Sequence, residues 1–401
     1  MNSRAKTFSW GIVDQGLCSI SNLLLAVATA RSVGVRDFGL FGLALGFYLS
    51  AMGIARSLVG VPLTLTPEDS RGSLKLRAAL GSALLIGVCA ATVMVVTGLV
   101  TRADEAWYMI ALGLPVLLVQ DTLRYAAIAR LTPRTAAVSD GIWLAVQMLI
   151  LIAPVAVGGK AVGVSSWLIG AAVSIVAFAH YWPGAPRPSA GARSLRETWS
   201  DRKYLLLEFI MNMGVQQAAF VLVTLFWGLP VVAALRGAQI ILGPANVFTA
   251  GLYPIVTRHV ASAERWPSRW RLLYFYIGTG VVVPLATALA AVLLPAELGR
   301  RLLGETWQPA VIAAVPLSLA ACAYVVISAG VLYLIGTRQY RSGFQLRFRS
   351  ASLLLLCLIV LGATAGPSWA AWAWFMGYLL GILLLVPVFR AASINENRRL
   401  A

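Results

Sequence analysis

Charged and amide side chains interrupt several long apolar stretches of this sequence. Asp14 and Gln15 lie in the first stretch, Arg56 lies near the end of the second, and Asp121 and Arg124 lie near the end of the fourth. A charged side chain at membrane depth costs roughly 2.5 to 3.5 kcal/mol, whereas one leucine returns only about 0.5 kcal/mol. Such residues usually face a partner or a wet cavity, where they bind ions or charged groups.

A polar stripe runs along the seventh apolar stretch. Glu208, Asn212 and Gln216 are spaced four residues apart, so they stack on one face of a helix. Asn22 adds a further amide to the first stretch. We predict that these residues, with Asp14, Gln15 and Asp121, line a charged, water-filled cavity. It would open toward the cytoplasm between the two halves of the chain.

A purely structural role stays open for the charges nearest the cytoplasmic interface. The side chains of Arg56, Arg124 and Asp140 are close enough to that interface to reach the headgroups or to form simple ion pairs. The sequence alone leaves both interpretations standing.

Catalytic and metal-binding patterns are missing from the sequence. The only histidines are His180 and His259, and no phosphate-binding loop, zinc-type spacing or Ser/His/Asp set occurs. The predicted outer loops are short, and the largest, at 295–308, carries four charges. We therefore expect a protein that is not an enzyme and that uses no metal or cofactor.

The composition shows what must position these residues. Hydrophobic residues make up 59% of the 401 and charged residues 12%, with a mean hydropathy of +0.82. A membrane-spanning helix needs roughly 20 apolar residues, so the chain has room for about twelve. Backbone N–H and C=O groups in lipid must form hydrogen bonds within the segment, so each span has to be helical. We predict an all-α, polytopic membrane protein. The predicted spans are 8–30, 38–61, 78–100, 107–129, 136–157, 161–182, 204–229, 231–256, 272–294, 309–335, 351–365 and 369–389.

The charge distribution predicts the orientation of these spans. The net charge is +17, from 32 Lys and Arg against 15 Asp and Glu. Most of the basic residues fall in the N-terminal tail, the even-numbered loops and the C-terminal tail, as the positive-inside rule requires of cytoplasmic segments. This placement argues against nucleic acid as a partner. It predicts that both termini are cytoplasmic.

The longest polar connection divides the chain at its midpoint. We predict an N-terminal six-helix bundle at 1–183, a basic cytoplasmic linker at 184–203 and a C-terminal six-helix bundle at 204–401. Related halves of this kind are common in transporters. Pro115, Pro154, Gly243-Pro244, Pro254, Pro284 and Pro316 fall within spans, where we expect kinks or breaks.

Several short motifs resemble a known family. DQGL at 14–17, SNLL at 21–24, ARSVG at 30–34 and DFGLF at 37–41 resemble the opening of bacterial polysaccharide flippases of the Wzx type. That family shares a superfamily with the multidrug and toxin extruders and the lipid II flippases. Further similarities are ARSLVGVPL at 55–63, LRGAQIILGPANV at 235–247 and LLGETW at 302–307.

The resemblance implies a fold and a substrate. It implies two six-helix bundles arranged as a V, in the bacterial plasma membrane, around an often cationic lumen. The implied substrate is an oligosaccharide on a polyprenyl diphosphate, flipped by alternating access for cell-surface polysaccharide biosynthesis. Glycosyltransferases or a polymerase of the same pathway are candidate partners, beside membrane lipids.

The resemblance also assigns roles to residues. Arg31, Arg56 and Arg236 match recurrent basic positions, and with Arg124 they would bind the diphosphate; Asn246 joins the polar lumen. Two alternatives stay open. One is an ion-coupled multidrug extruder, in which Asp14 or Glu208 binds the proton or sodium ion. The other is a membrane enzyme or scaffold of cell-envelope glycan assembly.

Overall fold

The computed structural model describes residues 3–32, 35–65, 72–130, 132–152, 162–262, 266–303 and 307–387. Helices account for nearly all of them. The α-helices are α1 Ser3–Ser32, α2 Val35–Ala55, α3 Val61–Leu65, α4 Gly72–Thr101, α5 Glu105–Ala129, α6 Pro133–Ile152, α7 Val162–Ser174, α8 Pro188–Glu197, α9 Trp199–Trp227, α10 Leu229–Ile241, α11 Gly243–Ser262, α12 Trp266–Leu293, α13 Ala296–Leu303, α14 Trp307–Gly336, α15 Tyr340–Thr364 and α16 Ala370–Leu383.

Shorter helical segments extend some of these helices. A π-helical segment, Arg56–Gly60, joins α2 to α3, a 3₁₀ segment, Ile175–Tyr181, continues α7, and a second 3₁₀ turn, Pro367–Trp369, leads into α16. Among the described residues, ten helices are long and apolar enough to cross a membrane, or eleven if α10 and α11 form one bent span. Helix α1 is also long enough, since thirty residues extend about 45 Å. The chain is an all-α, multi-pass membrane protein, as predicted.

The chain divides into two compact units, Met1–Leu206 and Leu207–Ala401. In the first unit, α1 packs on α6 and α7, and α5 packs on α2 and α4. Its core contains Trp167, which is fully buried and lies 5.2 Å from the ring of Tyr48 and 5.3 Å from that of Trp143. In the second unit, α14 is central and packs on α10, α11, α12, α15 and α16.

Two predicted spans need correction. The eighth, at 231–256, is divided into α10 and α11 with a bend of 58° where Gly243-Pro244 interrupts the helix. The eleventh, placed at 351–365, begins eleven residues earlier, because α15 starts at Tyr340. The arginines in this first part of α15 lower its hydropathy, which is typical of a loop, although the backbone there is helical.

Four of the prolines do not break the helix that contains them. Pro115, Pro254, Pro284 and Pro316 each lie inside a continuous α-helix. Neighbouring helices and local adjustments satisfy the backbone groups that a proline frees in a membrane helix. Pro154, the end of the fifth predicted span, the first residue of the sixth and the last residues of the twelfth lie outside the described residues.

The predicted linker contains a helix. Helix α8 packs against α4, where Gly81 and Gly191 bring the two backbones together: a Cβ atom at Gly191 would lie 2.3 Å from the backbone nitrogen of Ser82. The hydroxyl of Ser82 donates a hydrogen bond to the carbonyl of Gly191 (3.1 Å). The basic connection is therefore docked on the first unit.

Candidate functional site

The first unit contains a buried network of charges centred on Arg124 of α5. Its Nη2 atom lies 2.6 Å from Oδ2 of Asp14 on α1 and 3.2 Å from Oδ2 of Asp140 on α6, and its Nη1 atom lies 3.3 Å from Oδ1 of Asp121. The side chain of Arg124 is only 6% exposed. Three helices thus bring three carboxylates to one guanidinium. We call these residues, with Arg56, the Arg124 network.

Arg56 completes this network through a bidentate contact. Its Nε and Nη2 atoms donate to the two carboxylate oxygens of Asp121, at 2.8 and 2.7 Å. Arg56 begins the π-helical segment, and its guanidinium lies 5.7 Å from the ring centroid of Tyr125, which also packs against Gly60. Its side chain is 29% exposed. Short π-helical segments are frequent at functional sites.

Neutral side chains hold the carboxylate on α6 in place. Nε2 of Gln120 donates to Oδ1 of Asp140 (3.3 Å) and to the hydroxyl of Ser139 (3.2 Å). That hydroxyl donates in turn to the backbone carbonyl of Ser174 at the end of α7 (3.1 Å). The hydrogen bonds connect α5, α6 and α7 around the charges.

The charges of the Arg124 network do not balance. Its three carboxylates, when ionised, exceed its two guanidiniums by one negative charge. Oδ1 of Asp14 and Nε of Arg124 are buried without a hydrogen-bond partner among the described residues, and Oδ2 of Asp140 has only its ion contact with Arg124. An excess charge in a buried site is costly, and a proton on one carboxyl group or a bound cation relieves it. Among the described residues no group of acidic side chains is placed to hold a metal ion, so the arrangement suits a carboxyl group that takes up and releases a proton.

The second unit contains a smaller buried ion pair. Nε of Arg347 on α15 donates to Oε1 of Glu208 on α9 at 2.8 Å, and its Nη2 donates to the hydroxyl of Ser328 at 3.4 Å. Its guanidinium also lies 4.9 Å from the ring centroid of Tyr324, whose hydroxyl donates to Oδ1 of Asn212 (3.0 Å). Two members of the polar stripe, Glu208 and Asn212, thus have defined partners.

Arg236 on α10 has a different environment. Its guanidinium stacks on the ring of Phe220 at 3.7 Å, and its Nη1 donates to Oε1 of Gln239 at 3.2 Å. Arg236 is exposed and forms no ion pair with a described carboxylate. Stacking on an aromatic ring holds a guanidinium in position while its edges stay available to an anion.

The remaining candidates have weaker contacts. Asn246 is exposed, whereas Gln15 and Gln216 are half-buried. Nδ2 of Asn22 lies 3.7 Å from the sulfur of Cys18. The side chain of Arg31 lies outside the described residues.

Burial excludes contact with the lipid headgroups for most of these charges, whereas the ion pairs of the structural interpretation are present. Asp14, Asp121, Arg124 and Asp140 are each at most 5% exposed and contact one another, so they do not reach toward the lipid headgroups. Three carboxylates contact Arg124, and its side chain is only 6% exposed, so its guanidinium is engaged by acids here, whereas its predicted role is diphosphate binding. Its position is that of a residue that holds the network together.

Sequence reasoning missed several members of these clusters. Arg347 falls between two predicted spans, although a Glu208 isolated in an apolar stretch indicates that a cation lies nearby. Asp140 is not among the predicted lumen residues, although it contacts Arg124. Gln147, fully buried, exchanges hydrogen bonds with Ser21: the Ser21 hydroxyl donates to its Oε1 (2.6 Å), and its Nε2 donates to the Ser21 carbonyl (3.2 Å). Nothing in the local sequence indicates these pairings.

Comparison with known proteins identifies the fold. No family model matches the sequence, and no curated protein matches it either. Solved structures do match over almost the whole chain. A MATE transporter of Vibrio cholerae, in an Asp-to-Asn variant, is 15% identical with a TM-score of 0.76, over 98% of this chain and 97% of that one.

Two further solved structures agree with this match. A multidrug resistance MATE family transporter of the MOP superfamily, in an outward-facing conformation, is 10% identical with a TM-score of 0.75, covering 98% of this chain and 96% of the other. A MOP superfamily transporter from Pyrococcus furiosus, described as having a binding pocket of reverse polarity, is 10% identical with a TM-score of 0.70, over 97% and 96%. The chain therefore has the fold of the MATE transporters.

Proposed function

We propose that this protein is a transporter that flips a polyprenyl-diphosphate-linked oligosaccharide across the bacterial plasma membrane by alternating access. The observation that carries the proposal is Arg236, an exposed cation stacked on Phe220 in α10, which forms one candidate span only together with α11. A charged side chain within a candidate span is costly, so it usually marks a functional site. A diphosphate is the kind of anion that a guanidinium binds in a bidentate manner.

The energetics of the substrate explain why a protein is needed. Each sugar hydroxyl that loses water without a replacement costs roughly 1 to 3 kcal/mol, so an oligosaccharide with a diphosphate amounts to tens of kcal/mol. A hydrated path that offers cations to the diphosphate removes most of this cost, while the polyprenyl tail stays in lipid. Such a protein performs no covalent chemistry, in keeping with the expectation that it is not an enzyme.

In this proposal the arginines have separate roles. Arg236 contacts the diphosphate. Arg56, which is partly exposed, exchanges its contact with Asp121 for the diphosphate during the cycle. Arg124 takes no part in binding because it is enclosed by carboxylates. Arg31 stays in the predicted set on the resemblance alone.

Cells offer a direct test of the flippase. Arg236→Gln should reduce surface glycan and cause lipid-linked intermediates to accumulate in the inner leaflet of cells that depend on this protein. Arg300→Gln, an exposed arginine of α13, is the matched control and should leave both quantities unchanged. Normal levels of surface glycan and intermediates in the Arg236 variant would refute the proposed anion path.

A second candidate function is an ion-coupled multidrug extruder. The excess carboxylate of the Arg124 network favours it, because such a site suits a coupling proton, and similar solved structures are MATE transporters. Proteoliposomes distinguish the two: an extruder moves a cationic dye against its gradient when an ion gradient is applied. A flippase instead makes a lipid-linked oligosaccharide accessible on the opposite face.

A further inference from the structure

The segment that follows the seventh helix carries an exposed basic surface that the proposed function does not use. We define the α8 surface by Arg187, Arg193 and Arg196. All three side chains are exposed, and none forms a hydrogen bond or ion pair with a residue that the structure describes. Glu197 is the only acidic residue of α8, so the surface is net positive.

The α8 surface is held in a fixed orientation. Gly191 is buried against the backbone of α4, and Leu195, one turn later, packs on an apolar cluster formed by Leu58, Val59 and Ala79. Residues four positions apart share one face of a helix. Arg193 and Arg196 therefore project from the opposite face, away from the protein.

The position of α8 places this surface beside lipid. The residues of α4 that contact it, Gly81 and Ser82, are in the first turns of the membrane-spanning stretch Leu74–Val100. Two exposed tryptophans flank the helix, Trp182 at 42% and Trp199 at 49% exposure. Tryptophan is enriched where membrane proteins cross from hydrocarbon to water, because its ring is apolar and its N–H is polar.

We propose that the α8 surface binds the phosphate headgroups of anionic phospholipids in the adjacent leaflet. Arginines pair with phosphate through charge-assisted hydrogen bonds, and juxtamembrane basic residues are attracted to anionic lipid surfaces. The flanking tryptophans favour a lipid over a soluble acidic protein, because they supply apolar contact with acyl chains at the same depth. The surface anchors the connection before α9 to the membrane.

The test measures lipid binding by the full chain in neutral detergent, with phosphatidylglycerol and phosphatidylcholine as the two probes. The triple variant Arg187→Gln, Arg193→Gln, Arg196→Gln should raise the Kd for phosphatidylglycerol about tenfold or more. Its binding of phosphatidylcholine should not change. Added salt should weaken phosphatidylglycerol binding by the unaltered protein, since exposed charges are screened.

The matched control removes three exposed arginines elsewhere in the chain, one after α4 and two in α13, as Arg102→Gln, Arg300→Gln, Arg301→Gln. We expect this variant to bind phosphatidylglycerol like the unaltered protein. Thermal unfolding of both variants in neutral detergent checks that each is folded, and if the triple variant is not, the single change Arg196→Glu replaces it. Unchanged phosphatidylglycerol binding by the α8 variant, or an equal loss of binding in the control variant, would overturn the proposal. So would displacement of bound phosphatidylglycerol by inorganic phosphate as effectively as by phosphatidylglycerol itself. None of these results depends on transport.

Discussion

Removing Arg124 should destabilise the protein far more than removing its closest partner, Asp14. The unaltered network has two guanidiniums and three carboxylates. Arg124→Gln leaves one cation against three acids, whereas Asp14→Asn leaves two cations against two acids. The two side chains contact each other at 2.6 Å and are equally buried, so the difference between the variants reports the charge balance.

The magnitude follows from the burial of the network. Removing one partner of a buried ion pair costs roughly 3 to 5 kcal/mol, because the other charge stays buried without compensation. Arg124→Gln should therefore lower the free energy of unfolding by about 3 to 5 kcal/mol. Asp14→Asn leaves Arg124 with Asp121 and Asp140, and we expect a loss of only about 1 kcal/mol, comparable to one hydrogen bond.

The double variant provides the decisive comparison. Arg124→Gln with Asp14→Asn returns the network to an excess of one negative charge, so it should be more stable than Arg124→Gln alone. We expect an interaction energy of about 1 to 3 kcal/mol between the two sites. The assay is reversible unfolding in mixed micelles, followed by tryptophan fluorescence. Equal losses in the two single variants, or additive losses in the double variant, would refute the charge-balance argument.

Two further predictions concern the α8 contact and the second unit. Gly191→Ala should detach α8 from α4, because the added Cβ would overlap the α4 backbone, and the linker should then become sensitive to protease. Gly214→Ala is the control and should leave the linker resistant, because nothing lies within 4 Å of a Cβ atom at that position. Glu208→Gln should cost roughly 3 kcal/mol in micelle unfolding, since Arg347 loses its carboxylate, and Arg347→Gln in the same chain should recover part of that loss. Intact linkers in both glycine variants, or no recovery in the double variant, would contradict these predictions.

The sequence was sufficient to locate the membrane spans. Each predicted span overlaps a described helix or a pair of helices, because hydropathy is a local property that sums over neighbouring residues. The interruption at Gly243-Pro244 was also visible, since the residues themselves disfavour a continuous helix. The start of α15 was not visible. Its arginines lower the local hydropathy to that of a loop, and their partners cannot be identified from the sequence.

The sequence also indicated which residues bear charge at membrane depth, but the tertiary structure decided what each charge contacts. Arg124 and Asp14 are 110 residues apart in the chain, and Arg347 and Glu208 are 139 apart. Such pairings depend on which helices pack together and on how each is rotated, and neither is encoded by any local pattern. The cost of an unpaired charge in lipid predicts that partners exist, whereas only the packing of α1, α5 and α6 selects Arg124 as the centre of three carboxylates.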